Sequence, residues 1–333
     1  MSVRIGQEVQ ALPRPAQLIR DEPVHVVAGV IRDATGRVLV AQRPAGKHLA
    51  GFWEFPGGKS DPSETPLDAL RRELAEELGI RVETAEPLIA VPWTYPGKQI
   101  VLDAWIVTAY AGDAYAREHE ALRWVDPAEL ANLPMPPADG PIVTALRLPD
   151  RYLITPPLLP GETHVVLDGI ERACRAGIRL IQLRQPAWLR NDIDAIAADA
   201  QAICTRHGAS LLVNGDIDIA MRHGLDGVQV PARIARTLDA RPLPAGMWFA
   251  VSCHDETELA HAARIGADFV TLAPVAPTPS HPDATLLGWP RFAELAAASP
   301  LPVYALGGLD VADIATARRS GGQGIAAIRA LWS

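Results

Sequence analysis

Apolar and polar positions along this chain follow two different periods, and the places where the period changes mark out its elements. Val24 to Ile31 is a β-branched apolar run, followed by the turn residues Asp33-Ala34-Thr35-Gly36 and a second run, Val38 to Ala41. Two such runs around a short turn predict a hairpin. Over residues 65–79 the period lengthens to that of a helix, with Leu67, Leu70, Leu74 and Leu78 on one stripe. Thr65 suits the N-cap and Pro66 the first helical position, with Asp68 three residues on from the cap. Gly79 suits the C-terminal stop, with Ile80 beyond it. Further strands are expected at 99–109 and 122–125. A proline-rich loop, Leu133 to Pro137, then leads to a short helix from Gly140.

The chain changes character near Leu148. Leu148-Pro149-Asp150 and the proline-rich stretch Thr155 to Gly161 read as a boundary. Beyond it short apolar runs alternate with alanine-rich helical patterns. The runs are Tyr152–Thr155, Leu180–Leu183, Leu211–Val213, Gly227–Val230, Trp248–Ser252, Phe269–Leu272, Val303–Leu306 and Ile325–Ile328. An open doubly wound sheet gives similar alternation, but this number of strands in series favours a (β/α)8 TIM-type barrel. The expected division is a tail or edge segment at 1–22, one domain at 23–148 and a second at 149–333. A length of 333 residues fits two α/β domains better than one core.

Composition narrows the partners. A formal net charge of −8 argues against a nucleic acid polymer, whose backbone needs a basic footprint. It leaves nucleotides open, because a bound cation offsets local carboxylates. Cys174, Cys204 and Cys253 show no metal-binding spacing and fit a reducing compartment. No apolar run is long enough to span a membrane, and the first residues lack a leader pattern, so a cytoplasmic protein is expected. Nothing indicates the oligomeric state.

The chemistry of the first half starts with Glu73, Glu76 and Glu77, whose spacing puts three carboxylates on one helix face. Oxygen donors without histidine or thiolate suit a hard cation, Mg²⁺ or Mn²⁺. Upstream, Pro56-Gly57-Gly58-Lys59 is a loop where backbone can approach a ligand, with Lys59 placed to meet a phosphate. Taken alone, the triplet also reads as a solvated acidic face. It is not alone: the segment runs Gly58, five residues, Glu64, seven residues, then Arg72-Glu73-Leu74-Ala75-Glu76-Glu77-Leu78-Gly79-Ile80. That matches the Nudix signature at every position, and the domain is identified as a Nudix hydrolase of the MutT branch.

The resemblance implies an α/β/α fold and hydrolysis of nucleoside triphosphates, notably 8-oxo-dGTP, to the monophosphate and pyrophosphate. It implies that Glu73, Glu76 and Glu77 hold the metal, with Gly58 contributing its carbonyl. Glu118, six residues before Trp124, resembles a later glutamate that binds metal or activates water; a glutamate of the triplet is the alternative for that role. Trp53-Glu54-Phe55-Pro56-Gly57-Gly58-Lys59 resembles the MutT loop, and Arg43 a substrate-contacting arginine, so Arg43, Phe55 and Lys59 are expected at the substrate. Arg72 is expected to orient the glutamates and Glu64 to support the loop. Pro136-Pro137-Ala138-Asp139 resembles the loop whose last residue reads the oxidised base. Many MutT proteins carry Asn there, and an ionised Asp only accepts; Asp139 also reads as the N-cap of the helix at Gly140.

The second half resembles the thiamine-phosphate synthase and TenI family. Tyr152-Leu153-Ile154-Thr155, Gln182-Leu183-Arg184, Val251-Ser252-Cys253-His254, Gly266 to Val270, Thr278-Pro279-Ser280-His281 and Ala305-Leu306-Gly307-Gly308-Leu309 follow in family order. The resemblance implies a phosphorylated small molecule as ligand, with Arg184, His254, His281, Gly307 and Gly308 as its candidate contacts. Departures weigh against synthase chemistry. Pro186 stands where the family has lysine, and Asn214-Gly215 where it has an Asn-Asp pair, with Asp216 one place late. Pro231 to Ile234 carry no acid, and His281 replaces a lysine. His254 and His281 remain as acid–base candidates, His254 equally as a histidine tied at a strand end. Two alternatives to nucleotide cleansing stay open: a bifunctional enzyme whose halves both act on thiamine-related phosphates, and a nucleotide-sensing module without turnover.

Overall fold

The computed structural model describes residues 22–278 and 284–332; residues 1–21 of the expected tail, and His281, lie outside the described residues. The first half is built on two three-stranded sheets. One has the order β1 (Val24–Ile31), β5 (Lys98–Ala111), β4 (Arg81–Tyr95), and the other β3 (Trp53–Glu54), β2 (Val38–Gln42), β6 (Ala121–Val125). Helix α1 (Pro66–Leu78) covers one face and α2 (Gly140–Arg147) the other. The side-chain alternation of strands makes this possible. Val27 and Ile31 of β1 and Leu39 of β2 pack with Leu70, Leu74 and Leu78 of α1. Ala28, Val30, Val38 and Val40 pack with Ile142, Val143 and Ala145 of α2. A Cβ added to Gly29 would stand 2.8 Å from Leu74 Cδ1, so glycine there lets α1 seat closely.

Thr65 caps α1, its hydroxyl accepting from Asp68 N at 3.2 Å, and Gly79 ends the helix in the left-handed conformation. Two expectations need correction. The runs 24–31 and 38–41 do not form a hairpin. They share only the bridge Arg32↔Val38, while β1 pairs in parallel with β5 and β2 pairs with β3 and β6. The Asp33 side chain closes the turn by accepting from Thr35 N and Arg37 N, which turns the chain without committing it to one sheet. The second correction is β4, which the hydrophobic pattern did not predict. It lies at a sheet edge, tolerates Pro87 and Pro92, and breaks register near Val82, Thr84 and Pro87. Its solvent-facing Arg81, Glu83 and Glu86 dilute the apolar alternation on which a strand is recognised.

The second half is a closed barrel of eight parallel strands: β7 (Arg151–Ile154), β8 (Leu180–Leu183), β9 (Ser210–Asn214), β10 (Gly227–Val230), β11 (Trp248–Cys253), β12 (Phe269–Leu272), β13 (Val303–Leu306) and β14 (Gly324–Ala327). These are the eight apolar runs, with no end moved by more than one residue. Strands buried on both faces read as continuous apolar stretches, which is why they stand out in the sequence. Tyr152, Phe269 and Tyr304 fill the barrel with tilted and edge-on ring contacts. Above them Tyr152, Gln182, Asn214, Gln229 and Ser252 form a buried hydrogen-bonded chain leading to the mouth.

Candidate functional site

The loop Gly57–Gly58 closes against α1 with almost no space to spare. Gly57 N donates to Glu77 Oε2 at 2.9 Å, and Gly58 O accepts from Val27 N at 2.8 Å. A Cβ on Gly58 would fall 2.3 Å from Glu73 Oε2, and one on Gly57, whose φ is +148°, would fall 2.1 Å from Val27 O. Glycine at both positions therefore lets the carboxylates of Glu73 and Glu77 meet the backbone. Arg72 gathers the rest of the segment. It pairs bidentately with Glu64 at 2.8 and 2.9 Å, and reaches Glu73 at 2.8 Å, Glu76 at 3.4 Å and the Lys59 carbonyl at 3.0 Å. That guanidinium holds the Glu64 carboxyl down at about 2.

Glu77 is 8% exposed, and burial, reinforced by Glu73, Glu54 and Glu118, pushes its carboxyl up to about 8 against the Gly57 hydrogen bond. His119 Nε2 lies 3.7 Å from Glu77 and 3.9 Å from Glu54, and its Nδ1 is buried without a hydrogen-bond partner among the described residues. Burial first, and then Lys47, lower the His119 imidazole, so it adds no charge to offset the acids. Carboxylates crowded round a neutral imidazole suit a cation, which would relieve the cost of ionising Glu77. Among the described residues no three such side chains form a closed metal-ligating group; the acids lie along the loop and helix face instead.

The remaining first-half candidates fall on two sides of this centre. Arg43 is ion-paired with Glu54 and donates from Nε to the His48 carbonyl at 2.7 Å. Asp139, 4% exposed, lies within electrostatic reach of both Arg43 and Glu54. The Trp53 amide donates to the Pro134 carbonyl at 2.8 Å, tying β3 to the proline loop that carries Asp139. Tyr95 at the end of β4 faces the Ala138 backbone and Asp139. Phe55 is 3% exposed and packs into the core beneath α2 rather than lining open space. Lys59 and Glu118 have exposed side chains. Asp139 occupies the N-cap position of α2 but makes no capping hydrogen bond. Burial, reinforced by Glu54, drives its carboxyl well upward. The upward shift favours the protonated form, which offers a donor as well as an acceptor, as Asn does. Glu54, His119 and Tyr95 were not singled out in the sequence. Glu54 stood inside a recognisable loop, whereas His119 and Tyr95 had no distinguishing pattern.

The barrel mouth has the opposite character. A cavity of about 470 Å³ is lined by Arg184, Arg233, His254, Asn214, Gln182 and Gly307, with no carboxylate in its lining among the described residues. Gly307 and Gly308 both have positive φ, and a Cβ on Gly308 would stand 2.3 Å from Pro277 O. Burial lowers the Arg184 guanidinium. His254 follows β11 and its Nδ1 lies 2.9 Å from Glu258 Oε2, so the ring is tied at the strand end and also borders the cavity. Asp216 is committed elsewhere: it caps the helix Ile217–His223 by accepting from Ile219 N, and pairs with Arg190 at 2.6 and 3.0 Å. These residues do not fit a divalent cation at the barrel mouth.

A glycine loop locked to a glutamate-bearing helix between two small sheets, joined to a closed eight-stranded barrel, defines a two-domain α/β protein with a hydrolase site and a separate barrel mouth. The NUDIX domain matches residues 27–145 and the thiamine monophosphate synthase family (TMP-TENI) residues 151–331. The chain belongs to both families, as a fusion of the two. It is 43% identical to a CTP pyrophosphohydrolase of Escherichia coli (strain K12) over 122 residues, 37% of this chain and 90% of that protein. It is 46% identical to an 8-oxo-dGTP diphosphatase of Proteus vulgaris over 90 residues, 27% of this chain and 80% of that protein. In the second half it is 30% identical to a thiamine-phosphate synthase of Thioalkalivibrio sulfidiphilus (strain HL-EbGR7) over 196 residues, 57% of this chain and 90% of that protein. No helix among the described residues is long and apolar enough to cross a membrane.

Proposed function

We propose that the NUDIX half hydrolyses a nucleoside triphosphate, with 8-oxo-dGTP as its preferred substrate, to the monophosphate and pyrophosphate. The observation that carries this reading is the Gly57–Gly58 loop closed onto Glu73 and Glu77. A divalent cation, Mg²⁺ or Mn²⁺, held by Glu73, Glu76, Glu77, Glu118 and the Gly58 carbonyl, would neutralise the phosphates and lower the pKa of water. Arg72 fixes the direction of Glu73 and Glu76, and the Gly57 amide fixes Glu77. Glu118 makes no ion pair among the described residues and takes the proton of the attacking water as its oxygen bonds to phosphorus and the anhydride P–O bond breaks. Lys59 and Arg43 meet the departing charge. Asp139 and Tyr95 read the base, the protonated carboxyl pairing with a donor–acceptor edge.

A second substrate is favoured by one observation: the CTP pyrophosphohydrolase relative matches over 90% of its length. Pyrophosphate release from 8-oxo-dGTP, dGTP and CTP, wild type beside Glu77→Gln, separates the readings. Preference for 8-oxo-dGTP that is lost in the mutant supports the proposal. Preference for CTP keeps the mechanism and replaces the substrate, and no turnover of any of the three overturns the assignment. In the barrel we place a phosphorylated small molecule at Arg184 and the Gly307–Gly308 backbone, without synthase chemistry, because among the described residues no carboxylate there can hold a cation for pyrophosphate departure.

A further inference from the structure

Helix α2 joins the two halves both in sequence and in packing. Eight residues rise only about 12 Å, and a helix that short has little stability of its own. Its position therefore depends on what holds it. Ile142, Val143 and Ala145 anchor one side to the first domain's core. The other anchor comes from the barrel. Gln323, 7% exposed and one residue before β14, donates from Nε2 to the carbonyls of Ala145 at 3.0 Å and Leu148 at 2.9 Å. Helix ends leave such carbonyls without intrahelical partners, so this side chain closes the C-terminus of α2 from another domain. Gln323 is itself fixed, its amide donating to the Val303 carbonyl at 2.8 Å.

Two further contacts grip the same end. The Arg147 guanidinium lies 4.6 Å over the Trp248 ring, and the Tyr304 hydroxyl donates to the Pro149 carbonyl at 2.5 Å. The opposite end continues from the proline loop that the Trp53 amide holds at the Pro134 carbonyl. A cleft of about 310 Å³ separates Trp93, Gly140, Pro141 and Thr144 from Ala267 and Leu301 of the barrel. Asp139 sits at that end, without a capping bond. The helix is thus held by the barrel at one end and presents the buried carboxyl at the other.

We propose that Gln323 is a positioning residue for base recognition: the barrel clamps the C-terminus of α2 and thereby sets where Asp139 stands in the nucleotide site. The proposal rests on the reading of Asp139 as a base contact. It gives the barrel a part in the first domain's reaction that is independent of any ligand in the barrel mouth.

The test is a double-mutant cycle in the full chain: wild type, Asp139→Ala, Gln323→Leu and the pair, each assayed on the preferred nucleotide and on its unpreferred counterpart. Gln323→Leu keeps the side-chain bulk and removes the donor. The expected result is a KM for the preferred nucleotide raised roughly tenfold, a much smaller change in kcat, and a loss of base preference. In the Asp139→Ala background Gln323→Leu should then cost no further preference, which a purely structural loss would not produce. If Asp139→Ala abolishes preference but Gln323→Leu leaves KM and preference unchanged, or acts additively, the clamp is overturned and the base contact stands. If Asp139→Ala has no effect on preference, the base reading falls and the clamp with it. Should Gln323→Leu fail to fold, Arg147→Ala tests the same grip from an exposed position; it should shift KM in the same direction by about twofold, and an unchanged KM overturns the clamp.

Discussion

The two candidate sites of this molecule use opposite charge. In the first half burial, reinforced by Glu73, Glu54 and Glu118, raises the cost of ionising Glu77 beside a histidine whose own pKa burial lowers. In the second, Arg184 and Arg233 line a cavity that has no carboxylate among its described residues. The first arrangement needs a cation before it can receive a polyphosphate; the second receives an anion directly. On the proposed reading, a single chain of net charge −8 carries two kinds of phosphate site that should answer differently to the same reagents.

Chelation separates them most strongly. EDTA, or Glu77→Gln, should reduce nucleotide turnover by about 10²- to 10⁴-fold, while calorimetric binding of a phosphate monoester at the barrel mouth stays unchanged. Equal loss at both sites would end the contrast. Gly58→Ala comes next. Its Cβ would meet the end of the Glu73 side chain rather than backbone, so Glu73 should move aside with little effect on melting temperature while kcat/KM falls roughly tenfold. Arg184→Ala should weaken the phosphate monoester by about tenfold, the worth of one charge-assisted hydrogen bond, and leave nucleotide hydrolysis alone. A smaller effect is one of pH. Asp139 has a raised folded-state pKa, so its donor is present below that value and lost as pH rises through it. Base preference should decline on the alkaline side in wild type and stay flat in Asp139→Asn; parallel profiles would show that the proton is not used.

The two halves also differ in what their sequences reveal. The barrel strands were legible because burial on both faces leaves few polar residues to break an apolar run. Helix α1 was legible because Glu73, Glu76 and Glu77 and the leucines Leu70, Leu74 and Leu78 occupy distinct stripes, and its Gly57–Gly58 partner precedes it closely. What stayed hidden depends on neighbours distant in the chain. Strand β4 is an edge whose prolines and charges obscure its period. The upward shift of the Asp139 carboxyl follows from burial, which its own loop does not disclose. His119 gains its meaning only when the segment after β5 folds back beside Glu77. Gln323 stands in a glycine-rich turn and resembles any surface amide until α2 is seen beneath it.

The contacts made by Gln323 span 178 and 175 residues of chain. During synthesis the first domain can assemble its sheets and α1 long before residue 323 leaves the ribosome, since domains fold as units in order of emergence. Helix α2 must wait, its last carbonyls unanswered until the final barrel strands arrive. The nascent protein would therefore acquire its glutamate cluster early and its settled base-reading helix late, so a chain halted within the barrel would carry the acids for hydrolysis with a poorly fixed means of choosing what to hydrolyse.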